Sequence, residues 1–215
     1  MFRSATLLAL VAVIGVSALA TIHAITEDRI KAQQRRVVLE QLHQVFPSGD
    51  YDNALHEDIL DIHDPVFFRH DGVVRVYRAR KQGLDVGLVM NLVAPDGYNG
   101  DIRLLVAIRK NGQLTGVRVI SHRETPGLGD PIEHERSDWI ERFDHRSLNN
   151  PSIDGWAVKK DGGEFDQFTG ATITPRAVVE AVQRALEYHS ANQEMLFEPI
   201  VVQDDAVQDD HVPQT

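Results

Sequence analysis

The stretch IRLLVAIRKNGQLTGVRVI, residues 102–120, decides the fold. Two runs rich in Val, Ile and Leu, 102–109 and 114–120, flank Asn111-Gly112. Both turn residues tolerate positive φ, so the pair predicts an antiparallel hairpin closed by a type I′ turn. Upstream, residues 73–79 and 84–93 have the same strand-like composition, and Pro95-Asp96-Gly97 predicts a turn before Tyr98. Downstream, Thr125-Pro126-Gly127-Leu128-Gly129 predicts a longer Gly-rich loop. Residues 133–143 then read as a short helix and 156–158 as a short strand. A further helix is predicted over 175–188, with Val178, Ala181, Val182, Ala185 and Leu186 on one face. Residues 51–70 show no clean period and predict irregular chain. Hairpins followed by helices, without regular βαβ alternation, place the domain in the α+β class, with antiparallel strands and flanking helices.

Before the strands, residues 5–25 contain no Asp, Glu, Lys or Arg. That length matches the ~20 residues a helix needs to cross a bilayer core, so residues 1–25 are read as a transmembrane anchor. The alternative is a cleaved signal, since Ala18-Leu19-Ala20 fits a small-x-small cleavage pattern. The apolar run continues to Ile25 and passes into helix-forming sequence, which favours the anchor. Arg3 favours a cytoplasmic amino terminus, although Arg29, Lys31, Arg35 and Arg36 on the other flank blunt that argument. Anchor and signal alike put the bulk of the chain outside the cytoplasm. Residues 26–47 read as a connecting helix with Val38, Leu42 and Val45 on one stripe, ended by Pro47-Ser48-Gly49. The main domain follows over 48–200, and residues 201–215 form an acidic, polar tail predicted to be disordered.

Composition narrows the chemistry. A formal charge of -10 without a basic cluster disfavours nucleic acid as a partner. The absence of cysteine excludes disulfides, thiolate-held iron–sulfur clusters and Cys-based zinc sites. An electron carrier here would have to be organic or held by His and carboxylates. The segment from His56 to Asp64 is rich in such groups but lacks a recognised ligand spacing, so no metal site is expected.

Residues 166–176, DQFTGATITPR, suit an anion. Thr174 is predicted as the N-cap of the helix and Pro175 as its first residue, where a missing N–H costs nothing. A phosphate near Thr172 would meet unpaired amides and the positive end of the helix dipole. Gly170 and Ala171 leave the backbone approachable. A capped helix after a tight turn would look the same, and the tetrapeptide Thr-Gly-Ala-Thr alone does not separate the two.

The longer pattern Asp-x-x-Thr-Gly-Ala-Thr-x-Thr, Asp166 to Thr174, resembles the flavinylation motif of the FMN-binding domain family. The resemblance extends, in order and spacing, to Ala94-Pro95-Asp96-Gly97-Tyr98, to the run from His122 to Asp130 and to that from Trp156 to Gly163. Together with the anchor these look like the G-type subunits (RnfG/RsxG family) of the Rnf/Rsx electron transport complex. Neither residues 51–70 nor the tail shares in it. The resemblance implies flavin mononucleotide (FMN) joined through its phosphate to Thr172 by a separate flavin transferase, with Thr174 as the nearby alternative. It implies that Asp166, Thr169, Gly170 and Ala171 form the attachment loop, and that Glu124, Thr125, Gly127, Leu128 and Gly129 pack against the isoalloxazine ring. Lys159 and Lys160 are candidates for positive charge near the flavin, which would raise its potential. Trp139 and Trp156 are expected in the core.

By the same resemblance the chain is an electron-transfer subunit in the inner membrane. Its bulk would face the periplasm, and it would work with the other subunits of a complex coupling ferredoxin/NAD-type electron transfer to ion translocation. It would be a carrier within a redox-driven translocase and not an independent catalyst. The C-type component of a sodium-translocating NADH:quinone reductase, which carries a similar domain and anchor, is the redox alternative. A membrane-anchored module binding another anion is the non-redox one.

Overall fold

The computed structural model describes residues 2–198, and the acidic tail expected at 201–215 lies outside the described residues. Helix α1 (Phe2–Val45) runs without a break through both the segment read as an anchor and the one read as a connecting helix. Among the described residues no helix is long and apolar enough to cross a membrane. Strands β1 (Ile59–Ile62), β2 (Val74–Lys81), β3 (Leu84–Gly97), β4 (Gly100–Arg109) and β5 (Leu114–Ser121) form one antiparallel sheet in sequence order. Helix α2 (Pro65–Phe68) lies between β1 and β2, and α3 (Ile173–Ala191) and α4 (Gln193–Phe197) follow the sheet.

Both faces of the sheet are covered, which is why its strands read as near-continuous apolar runs instead of alternating ones. On one face Val76, Leu88, Met90, Leu104, Val106 and Val117 pack with Val178, Ala181, Val182 and Ala185 of α3. On the other, Tyr77, Ala79, Val89, Leu105 and Ala107 pack with Leu42, Val45 and Phe46 at the end of α1. Contact there is close. A Cβ on Gly116 would stand 3.1 Å from the Val45 carbonyl oxygen, and that carbonyl also accepts the Thr115 hydroxyl at 2.8 Å.

The hairpin over 102–120 forms, but its turn is not type I′. Gly112 takes φ 83° while Asn111 is not among the positive-φ residues. The Asn111 side chain accepts the Gln113 amide at 3.1 Å, a local bond that satisfies the turn without a left-handed Asn. Gly112 alone is left-handed, and the ladder slips by one at Ala107/Ile108. The two-residue turn with both φ values positive is instead Gln82-Gly83, at 51° and 76°, between the paired Lys81 and Leu84. The turn expected at Pro95-Asp96-Gly97 falls later. Strand β3 carries through to Gly97, which pairs with Gly100 across Tyr98-Asn99. Pro95 sits where the register slips between Ala94 and Gly97, a place that needs no ladder N–H from it.

In place of the helix expected over 133–143 there is a 3₁₀ turn, Trp139–Phe143, and another, Asp130–Ile132, falls just before that range. The Ser137 hydroxyl donates to the Pro131 carbonyl at 2.6 Å and accepts the Trp139 amide at 3.1 Å, local bonds that compete with a continuous helix. The strand expected at 156–158 reduces to a single bridge between Val158 and Phe165. Residues 51–70, read as irregular, contain β1 and α2, the latter capped by Asp64 accepting the Phe67 amide at 3.0 Å. Two carboxylates of that region pair with arginines. Asp61 pairs with Arg75 at 2.8 Å and Asp58 with Arg80 at 2.8 Å. Asp58 also pairs with the buried Arg78, which donates onward to the Glu198 carbonyl.

His189 on α3 is 1% exposed, and its Nε2 has no hydrogen-bond partner among the described residues. Burial lowers its pKa from 6.5 to about 4, so the unfolded chain takes up this proton first as pH falls. Stability present near neutral pH is therefore lost between about 6.5 and 4, by on the order of 3 kcal/mol. Urea unfolding at pH 7 and at pH 4.5 is expected to show a smaller acid loss in His189→Leu than in the unsubstituted chain. An equal loss in both would contradict the assignment.

Candidate flavin site at the start of helix α3

The loop before α3 is held from below. Trp139 and Trp156 are buried, as expected, and Phe143 packs between them with Phe165, at ring-centroid distances of 5.5 Å to Trp139 and 4.7 Å to Phe165. Trp139 donates its indole N–H to the Asp166 carbonyl at 2.7 Å and lies 5.2 Å from the Phe168 ring. From that base the chain turns outward. The Ala171 amide bonds the Phe168 carbonyl at 3.1 Å, and Gly170 takes φ 80° at the corner.

Helix α3 starts two residues earlier than expected. Thr172, not Thr174, is the N-cap, and its carbonyl accepts the Arg176 amide at 3.3 Å. Pro175 falls at the third helical position. That is tolerated because amides of the first turn have no intrahelical acceptor in any case. The Thr172 side chain makes no capping bond and is half-buried. The Thr174 side chain is fully buried, and its hydroxyl donates to Glu124 instead of capping the helix. The amides of Ile173 and Thr174 are left at the positive end of a 19-residue helix.

Glu124, 5% exposed, joins three segments. One carboxylate oxygen accepts the Thr174 hydroxyl and the other accepts the Asn99 amide at 2.9 Å. Its own amide bonds His122 Nδ1 at 3.0 Å, while His122 Nε2 meets Glu133 at 2.6 Å. Asn99 also donates its side-chain amide to the Thr125 hydroxyl at 3.1 Å. The Gly-rich loop folds on itself through the Leu128 and Gly129 amides, each 3.0 Å from the Thr125 carbonyl. Gly129 is required for this packing, because a Cβ there would stand 2.8 Å from Glu124 Cβ and 3.0 Å from Thr174 Oγ1.

These segments enclose a cleft of about 180 Å³ lined by Tyr98, Glu124, Thr125, Leu128, Gly129, Gly170, Ala171 and Thr174. All but Tyr98 come from the two segments singled out in the sequence, whose closest link, Glu124 to Thr174, spans 50 residues. Thr172, Asp166, Thr169, Gly127 and Lys159 do not line it. Thr172 adjoins it through Ala171, Thr169 is exposed on the turn, and Gly127 donates to Asp130 at 2.7 Å. The Lys159 ammonium is bound to Asp166 at 2.5 Å, so the charge expected near a flavin is spent on the first residue of the motif. The sequence motif Ala94–Tyr98 reaches Tyr98 without assigning it to the site, and Asn99 had no signal beyond a turn read too early, at Pro95-Asp96-Gly97.

The residues fit an FMN group in three respects. Leu128 and Tyr98 are exposed apolar surfaces at the cleft rim, suited to the faces of a planar ring. Gly129, Gly170 and Ala171 leave backbone open to polar ring edges. The start of α3 beside Thr172 suits a phosphate. At about 180 Å³ the cleft is smaller than the roughly 300–1,000 Å³ of sites that bury a ligand. Larger clefts occur elsewhere, such as the 540 Å³ one beside Arg103 and Arg123, but they lack this convergence of apolar rim, small residues and helix start.

A family model described as the FMN-binding domain matches residues 97–187, and one described as the RnfG N-terminal region matches residues 1–45. The chain is 47% identical over 199 residues to the G subunit of the ion-translocating oxidoreductase complex of Pseudomonas aeruginosa, covering 93% of each chain. It is 46% identical to the protein of that name from Shewanella loihica, over 91% of this chain and 92% of that one. The corresponding Aliivibrio fischeri protein is 40% identical over 91% and 93%. The chain belongs to the family of ion-translocating oxidoreductase complex G subunits and carries that family's FMN-binding domain.

Proposed function

We propose that this chain is the FMN-carrying electron-transfer subunit of a membrane-bound redox complex that drives ion translocation, with FMN esterified through its phosphate to Thr172. The observation that carries the reading is the contrast between two threonines two residues apart. Thr172 stands half-buried at the helix start with its side chain free of a capping bond. Thr174 is fully buried with its hydroxyl committed to Glu124. That contrast favours Thr172 as the residue a second enzyme, a flavin transferase, would modify. Asp166 and Thr169 would shape the loop that enzyme recognises, with Lys159 holding Asp166 in place.

Bound FMN would supply one- and two-electron transfer, and the attachment through phosphate leaves its ring chemistry intact. The protein's part is to hold it. The Ile173 and Thr174 amides and the helix dipole would stabilise a phosphate charge, and Leu128 and Tyr98 would cover ring surface. Residues 5–25 would anchor the chain in the inner membrane, with domain 48–200 on the periplasmic side beside the other subunits.

Co-expression with a flavin transferase, followed by a denaturing gel viewed under ultraviolet light, is expected to give a fluorescent band at the mass of this chain. A colourless band from protein matured in that way would contradict the reading and favour a non-redox anion-binding module.

A further inference from the structure

The sequence offers Lys159 and Lys160 as candidates for positive charge near a flavin. Neither lies in the cleft. Lys159 is paired with Asp166 outside the cleft, and Lys160 does not line it either. The charged side chain in the cleft wall is Glu124, 5% exposed. Its two oxygens are each held, one by the Asn99 amide at 2.9 Å and the other by the Thr174 hydroxyl. Among the described residues no cation pairs with it.

We infer that Glu124 sets the reduction potential of the flavin, holding it low by placing an uncompensated carboxylate against the ring. This inference rests on the proposed FMN site. Reduction adds negative charge to the ring, and in a site partly shielded from water a fixed like charge opposes it far more than it would in bulk solvent. The two donors come from different segments, the β3–β4 turn and the first turn of α3, so the carboxylate is fixed in position and cannot swing away as charge arrives. A low potential also suits a carrier that must pass its electrons on instead of trapping them.

The test is a redox titration of the full chain, matured with the transferase and held in detergent, with covalent FMN scored first on a denaturing gel. Glu124→Gln removes the charge and is expected to move the midpoint to a more positive potential. Thr174→Val removes one donor but keeps the charge, and is expected to leave the midpoint unchanged or more negative. If Glu124 acted only by shaping the cleft, both substitutions would loosen the same contact and shift the midpoint the same way. An unchanged or lowered midpoint in E124Q, or an upward shift shared by both variants, would overturn the inference. An E124Q protein that fails to acquire FMN while T174V acquires it would also overturn it, by making Glu124 a requirement of assembly. Absence of FMN from the unsubstituted protein would instead strike at the flavin site itself.

Discussion

Thr172→Ala is expected to abolish covalent FMN, while Thr174→Val retains it. The first substitution removes the hydroxyl at the start of α3 that is free of a structural bond, and it leaves the fold intact. Thr172 makes no side-chain cap, and its carbonyl bond to Arg176 belongs to the backbone. The second removes a buried hydroxyl bonded to a carboxylate, at a cost of roughly 1.5–3 kcal/mol for a hydrogen bond to a charged group. The two variants therefore separate chemistry from stability. T172A should unfold at nearly the same urea concentration as the unsubstituted chain yet give no fluorescent band. T174V should unfold earlier yet keep the band. The reverse pattern would place the attachment at Thr174 and the structural role at Thr172.

Phe143→Ala is expected to be the most destabilising single change near the site, by about 3–5 kcal/mol. Phe143 is fully buried, stacked with Phe165 and packed edge-on against Trp139. Truncating it opens a cavity among rigid aromatic rings that cannot collapse to fill it. The effect should also reach the site, because Trp139 carries the Asp166 carbonyl on its indole N–H and supports the Phe168 ring at the base of the attachment turn. Urea denaturation with two spectroscopic probes would measure the loss, and the yield of the flavin band would fall with it. A loss below about 1 kcal/mol would show that the aromatic cluster does not support the attachment turn.

How much of this was legible in the sequence depends on the range of the interactions involved. The strands and α3 were readable because β-branched runs and a 3.6-residue period are properties of the segment itself. The two loops that meet at the cleft were readable as motifs. Other features depended on partners remote in sequence. Thr174 has the right chemistry for an N-cap, but Glu124, fifty residues away, takes its hydroxyl, and the cap falls to Thr172. Lys159 had the right charge to tune a flavin, but Asp166 claims it first. Asn111-Gly112 had the composition of one turn type and adopts another because the Asn side chain bonds the next amide but one. Asn99, which ties Glu124 to the β3–β4 turn, carries no motif at all. Its role appears only when the turn is seen to fall beyond Pro95-Asp96-Gly97.

The family assignment and the cleft come together in one chemical claim, that a phosphate ester joins FMN to Thr172. Tandem mass spectrometry of the peptide 166–176, from protein matured with a flavin transferase, tests it most directly. The added mass of FMN on fragments that contain Thr172, and its absence from those that begin at Ile173, is the result expected. The same mass on Thr169 or Thr174, or an unmodified peptide, would contradict it.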